Sequence, residues 1–430
     1  MAFRAFNTAR KAARTAGYAN MSTQAAAVEG KSNNMVKAGV AAVAGLVGYG
    51  AYNVAENKGY VPPSEGLVDL IMKVKKTHPD NLAAKHFDMN YYTTLSNEFK
   101  RRHLMVLKSG AENADSGMGA YAMQPDDYDL LKPYMDRVIR DYHKIKTEVH
   151  HITNWDLSKV KGVPANGKLD LAKLGLPPLS MRVRVGRNLA AFPLPGAMTR
   201  DDRVKMEKTM VGAFKKLIAD PQFGGRYHSL TPGTPESISQ AEYQQLVDAH
   251  VMFKDMSADP YLNSAGISKD WPYGRGCYQS ADKGFIVWVG EEDHLRIMCM
   301  AKGTLLNDVF GRLEKCLKVM DGMCSFAHSK DYGYVTSCPT NLGTGMRASI
   351  HIALPKLTKS GTDEETPKKI AKALGLSVRG VGGEHTAMGA DGTVDISPSA
   401  RLCIQEAEII TALYFGIKDL KAAEDKAAGK

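Results

Sequence analysis

Between residues 60 and 155 apolar residues recur at three- and four-residue spacing, in GLVDLIMKVKK, LSNEFKRRHLMVLKSG and YDLLKPYMDRVIRDYHKI. That period predicts amphipathic helices packed through one apolar face. Gly110, closing the second run, fits a helix C-terminal cap. Residues 156–179, rich in Gly, Pro and Lys, read as a linker. After Ser180 the period changes. MRVRV alternates, FIVWVG and HLRIMCM are strand-like runs joined by Glu-Glu-Asp, and RASIHIAL alternates again. Helical runs intervene, in RVKMEKTMVGAFKKLIA and the closing QEAEIITALYFGIKDLKAAE. Strand pairs linked by tight polar turns suggest antiparallel pairing more than βαβ crossovers. The expected fold class is α+β: a small all-α domain over 60–155, then a larger domain over 180–425 with an antiparallel sheet flanked by helices.

The first 59 residues follow neither pattern. Residues 1–28 carry Arg4, Arg10, Lys11 and Arg14 and no acid before Glu29, with three of these cations on one helical face. That is the composition of a mitochondrial transit segment, assigned to 1–34. The apolar stretch within 35–59, uncharged for 18 residues from Ala38 to Ala55, is at the lower edge for spanning a bilayer. It reads as a sorting or anchor segment, with inner-membrane association through 36–55 and an intermembrane-space location as the expectation.

Composition adds exclusions. The net charge of +10 is uneven, because residues 1–59 hold seven basic and two acidic side chains. The body alone therefore gives no sign of nucleic-acid binding. The six cysteines, all between Cys277 and Cys403, form no C-x-x-C. A disulfide scaffold or structural zinc site is not expected. Gly162–Lys168 matches GxxxxGK, but Leu169 replaces the magnesium-binding hydroxyl and Pro164 removes a loop N–H, so it reads as a plain loop.

Arg182 and Arg184 are two apart in an alternating run and so leave one face of a strand; Arg296, Arg347 and Arg379 also lie in strands or at their ends. Singly each reads as a solvated or salt-bridged surface residue; as a set they would form a cationic cradle suited to a polyphosphate. Glu291, Glu292 and Asp293 join two apolar strands, and Glu384 lies in the Gly-rich VGGEHT. Three acids in a turn read equally as simply solvated; if the flanking strands bury the ends of the turn, the carboxylates need cations, either a cationic substrate or magnesium waters. Cys338 is placed at a strand end before a flexible turn, where an inert buried thiol competes with one acidified by the arginines.

Cys338 through Thr344, CPTNLGT, resembles the signature of the phosphagen (guanidino) kinases. SMRVRVGR, WPYGRG, VWVGEEDHLRI, GMRASIHIALPKL and VRGVGGEHT resemble family segments in the family's order, from about residue 60 to about 425. The resemblance implies reversible transfer of the ATP γ-phosphoryl group to a guanidino nitrogen, with Mg²⁺ as cofactor and ATP/ADP and a guanidino compound as partners. It assigns Arg182, Arg184, Arg296, Arg347 and Arg379 to the phosphates, and His250 and His351 to the nucleotide pocket. Glu292 and Glu384 would hold the guanidinium, with Glu292 as base, and Cys338 would contact it as a thiolate. Glu291 and Asp293 would sit in the outer shell of magnesium. The stretch 380–392 would be a lid that excludes water.

Ser116-Gly117-Met118-Gly119-Ala-Tyr121 resembles the specificity loop of arginine-using members, and Tyr142 and Glu384 match that class. Arginine is the expected guanidine, with taurocyamine or creatine as alternatives. Three departures stand out: Gly290 replaces an Asn before the acidic turn, Gly382 replaces an Arg in the last loop, and the Arg expected after His250–Asp255 is absent. The first two motivate an alternative, a catalytically weak nucleotide-binding member; a thiol-dependent hydrolase using Cys338 is a third.

Overall fold

Helices form where the apolar spacing places them: α1 (Ser64–Thr77), α2 (Leu82–Lys85), α3 (Met89–Thr94), α4 (Asn97–Glu112), α5 (Asp127–Leu130) and α6 (Lys132–His143). A computed structural model describes residues 64–381 and 386–429. The leader, the stretch 38–55 and residues 382–385, including Gly382 and Glu384, lie outside the described residues. Three helix starts are set by short polar side chains: Asn81, Asp88 and Ser96 accept from Ala84 N, Asn90 N and Phe99 N. Leu104, Leu107, Tyr134 and Val138 are fully buried on the apolar faces, as the period requires.

Gly110 is a correction. It does not cap α4, which runs on to Glu112 and ends at Asn113. Its lack of a side chain serves packing, because a Cβ there would lie 2.7 Å from Ala83 Cβ and 2.9 Å from Gly119 Cα. Residues 156–179 also pack more firmly than a linker would. Leu169 and Leu171 are fully buried, and Trp155 stacks on Phe310 at 4.9 Å. Isolated apolar residues among Gly and Pro leave no period by which to see this. Gly162–Lys168 is a loop of turns, as read.

The sheet is antiparallel throughout. Its strands are β1 (Leu179–Arg187), β2 (Arg226–Ser229), β3 (Gly276–Gln279), β4 (Phe285–Val289), β5 (Leu295–Gly303), β8 (Met346–Ala353), β9 (Leu376–Arg379) and β10 (Thr393–Pro398); β6 (His328–Ser329) and β7 (Gly333–Tyr334) pair separately. The order is β2-β3-β4-β5-β1-β8-β10-β9, so the arginine-bearing β1 sits near the middle. Between strands run α7 (Arg200–Ala219), α8 (Gln240–Asp248), α9 (Pro260–Ser264), α10 (Leu306–Asp321) and α11 (Glu365–Ala373), and α12 (Glu406–Ala427) closes the chain.

Strand alternation divides the sheet into two faces. Met181, Val183 and Val185 of β1, Ile297 of β5, Ala348 and Ile350 of β8 and Ile396 of β10 belong to one core with Leu313 of α10 and Leu413 of α12. The intervening residues, Arg182, Arg184, Arg296, Arg347, Ser349, His351, Asp395 and Ser397, share the opposite face. Register fixes this: Arg184 lies opposite Arg347, Arg182 opposite Ser349, and Asp395 opposite both His351 and Arg379. No helix among the described residues is long and apolar enough to cross a membrane.

Candidate active site

The arginines of that open face lie within electrostatic reach of one another. Burial lowers the Arg182 pKa to about 10, helped by Arg296 and Arg347, and lowers that of Arg184 through burial and Arg296, Arg182 and Arg347. Arg182 remains cationic at neutral pH. Carboxylates compensate only at the margins. Arg347 binds Asp395 and Ser397, Arg296 Nη1 meets Glu291 Oε1 at 2.7 Å, and Arg182 and Arg184 form no ion pair among the described residues. Arg182 Nε has no hydrogen-bond partner among them either. Trp288 lies under Arg182 and Arg296, with centroids 5.9 and 5.5 Å away. A cluster of guanidiniums short of anions is the electrostatic complement of a polyphosphate.

The acidic turn between β4 and β5 borders this cluster. Gly290 enters it at φ +74°, and a Cβ there would lie 2.5 Å from Gly274 O, so this departure is tied to a left-handed backbone in a tight space. Glu292 Oε2 lies 3.6 Å from Arg296 Nη2 and accepts at 3.5 Å from Asn341 Nδ2 of the CPTNLGT segment. Burial, with Asp293 and Glu291 adding negative charge, raises its pKa, against the pull of Arg296 and Arg184. A fifth of its side-chain surface stays open, so water tempers that rise. Asp293 is buried and faces inward, its Oδ1 accepting from Asn188 Nδ2 and Ser337 N, each at 2.7 Å. Glu291 is partly open and paired with Arg296.

Cys338 differs from the expectation twice. It lies in irregular chain just before the 3₁₀ turn Pro339–Asn341 rather than at a strand end. Its thiol pKa is raised, by burial first and Glu292 next, with Thr340 Oγ1 at 3.1 Å pulling the other way. The arginine cluster does not acidify it here; a thiolate needs a cation brought in beside it. All six cysteines are free thiols, and four of them are buried.

The loop Ser116–Tyr121 is laced to its surroundings through backbone. Leu82 N and Ala83 N donate to Gly117 O and Met118 O, Gly110 N donates to Gly119 O at 2.8 Å, and Tyr121 N donates to Val106 O at 2.9 Å. Gly119, at φ +67°, is 2.5 Å from Gly110 if given a Cβ, so two glycines permit this contact. Met118 points into the helical core rather than into solvent. The loop then reaches the Cys338 segment, where Ala122 N donates to Ser337 O at 2.8 Å and Tyr121 feels both Cys338 and Glu292.

Other expected residues lie at the periphery. Arg379 ends β9, and His351 Nε2 is 3.8 Å from Asp395 Oδ1. His250 is exposed at φ +57° beside Val251, whose carbonyl accepts from Trp288 Nε1 at 2.6 Å. Tyr142 is exposed and interacts with Arg401. Arg401 is a residue the sequence reading missed: it is buried, lowered to about 10 by desolvation and then by Arg347, and its carbonyl accepts from Thr344 N and Oγ1. Tyr261 was also missed. Its hydroxyl donates to Asp115 Oδ2 at 2.8 Å, while Ser109 Oγ donates to Tyr261 O at 2.9 Å, so α9 holds the helical segment without the missing arginine. No arginine-type signal in the sequence points to either residue.

The comparisons with known proteins agree with this geometry. Residues 205–427 match the family model for the ATP:guanido phosphotransferase C-terminal catalytic domain. Arginine kinase Oct f 2 of Amphioctopus fangsiao is 37% identical over 360 residues, which is 83% of this chain and 97% of that protein. The chain belongs to the ATP:guanido phosphotransferases, the phosphagen kinases. The arginine kinase of Anthopleura japonica is 36% identical over 364 residues, 83% of this chain, and the chain spans 48% of its length. Among solved structures, the duplicated taurocyamine kinase from Schistosoma mansoni with bound transition-state-analogue components matches with TM-score 0.70 and 31% identity, over 86% of this chain and 50% of that one. The arginine face, acidic turn and Cys338 therefore belong to a phosphagen-kinase fold.

Proposed function

We propose that this chain transfers the γ-phosphoryl group of MgATP reversibly to a guanidino nitrogen, with L-arginine as first guanidine, as an ATP buffer in the mitochondrion. The observation that carries the reaction is an arginine face short of anions meeting Glu292 through Arg296, with Cys338 within electrostatic reach of Glu292. Phosphoryl transfer needs mainly alignment and charge neutralisation. Arg182, Arg184, Arg296, Arg347 and Arg379 would take the phosphates, and His250 and His351 would flank the nucleoside end.

A guanidinium has a pKa above ~12, so its nitrogen attacks only as a base takes its proton. Glu292, with its raised proton affinity, would accept that proton while the N–Pγ bond forms and the Pγ–O bond to ADP breaks. Glu384 would share the guanidinium, and Cys338 would become a thiolate against it. Among the described residues no group of three or more His, Cys, Asp or Glu is set to chelate a metal. Mg²⁺ would thus arrive with the nucleotide as part of the substrate, supplying charge neutralisation on the phosphates. Glu291 would accept from its waters, while Asp293, which accepts from Asn188 and Ser337, would hold the turn.

Arginine rests on Ser116–Tyr121, Tyr142 and Glu384, and on the likeness to arginine kinases. Taurocyamine is the second reading, supported by the likeness to the Schistosoma mansoni enzyme. Mitochondrial import and inner-membrane association rest on the basic leader and the uncharged stretch 38–55. The test is a coupled ADP assay on the full chain with MgATP and arginine, taurocyamine, creatine or glycocyamine. Turnover fastest with arginine is expected. Turnover with another guanidine alone would overturn the substrate, and ATP binding without any transfer would favour the weak-binder alternative.

A further inference from the structure

Asn188 follows β1 directly, and the sequence reading gave it no role. It is fully buried, and its amide is used on both ends. Oδ1 accepts from His294 N at 2.8 Å, and Nδ2 donates to Asp293 Oδ1 at 2.7 Å and to Val335 O at 3.0 Å. Its own carbonyl accepts from Ala327 N at 2.7 Å. One side chain thus joins the strand that carries Arg182 and Arg184, the turn that carries Glu292, and the segment that leads to Cys338. Asp293 Oδ1 extends the tie by taking Ser337 N, one residue before Cys338.

Among the described residues the Glu292 carboxylate itself is held only at long range, by Arg296 at 3.6 Å and Asn341 at 3.5 Å. The residue's N–H donates to the adjacent Glu291 Oε2 at 3.0 Å, and the turn closes on itself through Gly290 N to His294 O at 2.8 Å. Its next neighbours, Asp293 and His294, are the residues that Asn188 grips. A second clasp, Leu189 N donating to His294 Nδ1 at 3.0 Å, leaves from the residue beside Asn188. An aliphatic side chain of similar size would leave an acidic oxygen and two backbone groups short of partners in a buried space.

We propose that Asn188 is the positioning residue that holds Glu292 in register with the arginine face and with Cys338. The proposal rests on the reading of this site as a guanidino phosphotransfer site. It is silent on which guanidine is used. Displacements of about 1 Å at reacting groups cost on the order of 100-fold in rate. Asn188 does not touch the phosphates, so loosening it should lower turnover without weakening nucleotide binding.

The test compares the parent chain with Asn188→Ala and the near-isosteric Asn188→Asp, at temperatures where each is folded by circular dichroism. For Asn188→Ala, kcat should fall roughly 10- to 100-fold while KM for MgATP stays within about threefold. Asn188→Asp sets a second carboxyl against Asp293. Two buried carboxyls at that 2.7 Å contact share one proton, so Asn188→Asp can still bridge Asp293 and accept from His294 N, and it should keep most of the turnover that Asn188→Ala loses. Unchanged kcat in Asn188→Ala with only a lower Tm would overturn the proposal, as would a kcat for Asn188→Asp no better than that of Asn188→Ala. Iodoacetamide labelling of Cys338, read by peptide mass, keeps the test separate from the functional reading. It should speed up in Asn188→Ala even if the parent turns over none of the guanidines, and an unchanged rate would sink the tie to Cys338.

Discussion

Glu291 and Glu292 are adjacent carboxylates that meet the same guanidinium, Arg296, at 2.7 and 3.6 Å. Burial first, then Asp293 and Glu291, raises the hold of Glu292 on a proton, against the pull of Arg296. A base must be ionised to act, so activity should rise with pH through the Glu292 pKa, and that limb should lie above the ordinary carboxylate range. Glu291→Gln removes a negative neighbour and should move the acid limb of kcat/KM to lower pH; movement the other way would show that losing the Arg296 pair dominates. Glu292→Gln should cost ~10²–10⁴ in kcat, the span of general-base catalysis, with MgATP affinity retained. At Gly290 the backbone is the constraint. Because φ is +74° and Gly274 O would sit 2.5 Å from a new Cβ, Gly290→Ala should lower stability by about 1–3 kcal/mol in urea unfolding. Equal stability would mean that the turn relaxes.

At the scale of elements, the loop Ser116–Tyr121 is gripped from two sides: α2 and α4 hold its carbonyls, and α9 reaches Asp115 just before it through Tyr261. Tyr261→Phe deletes one neutral hydrogen bond, worth about 0.5–1.5 kcal/mol. The KM for the guanidine should rise roughly two- to tenfold while Tm changes little, as a substrate titration at saturating MgATP would show. An unchanged KM would assign that bond to packing alone. The elements differ in how much of them was legible. Arg182 and Arg184 could be placed on one face because a strand has a period of two, and the acidic turn because two apolar runs flank it. Gly110 misled because a glycine near a helix end has the same letter whether it caps or yields space to Gly119. Asn188, Arg401 and Tyr261 were hidden for a different reason. Their partners, such as Asp293, Thr344 and Asp115, lie about 60 to 150 residues away in the chain, and no local period records a contact of that kind.

Over residues 62–430, one compact unit, three of the buried histidines share in how the molecule meets acid. His103 sits among Phe87, Tyr91, Tyr92 and Tyr134, with Tyr134 4.4 Å away, and neither ring nitrogen has a partner among the described residues. Burial, with Arg137 adding to it, lowers its pKa to about 3; His294 and His151 fall to about 3 and about 4, each mainly by burial. In each case the folded value lies below the unfolded value of 6.5, so the unfolded chain takes up protons first. Their contribution to stability is complete above pH 6.5 and is lost as pH falls toward the folded values, by at most about 1.4 kcal/mol per pH unit for each histidine. His103→Leu removes one of these protons from the balance without touching the active site. Between pH 7 and pH 5 the unfolding free energy of the parent should therefore drop by about 2 kcal/mol more than that of the variant. Urea unfolding at the two pH values measures both drops, and equal drops would mean that His103 takes up its proton in the folded state through an opening of the helical core.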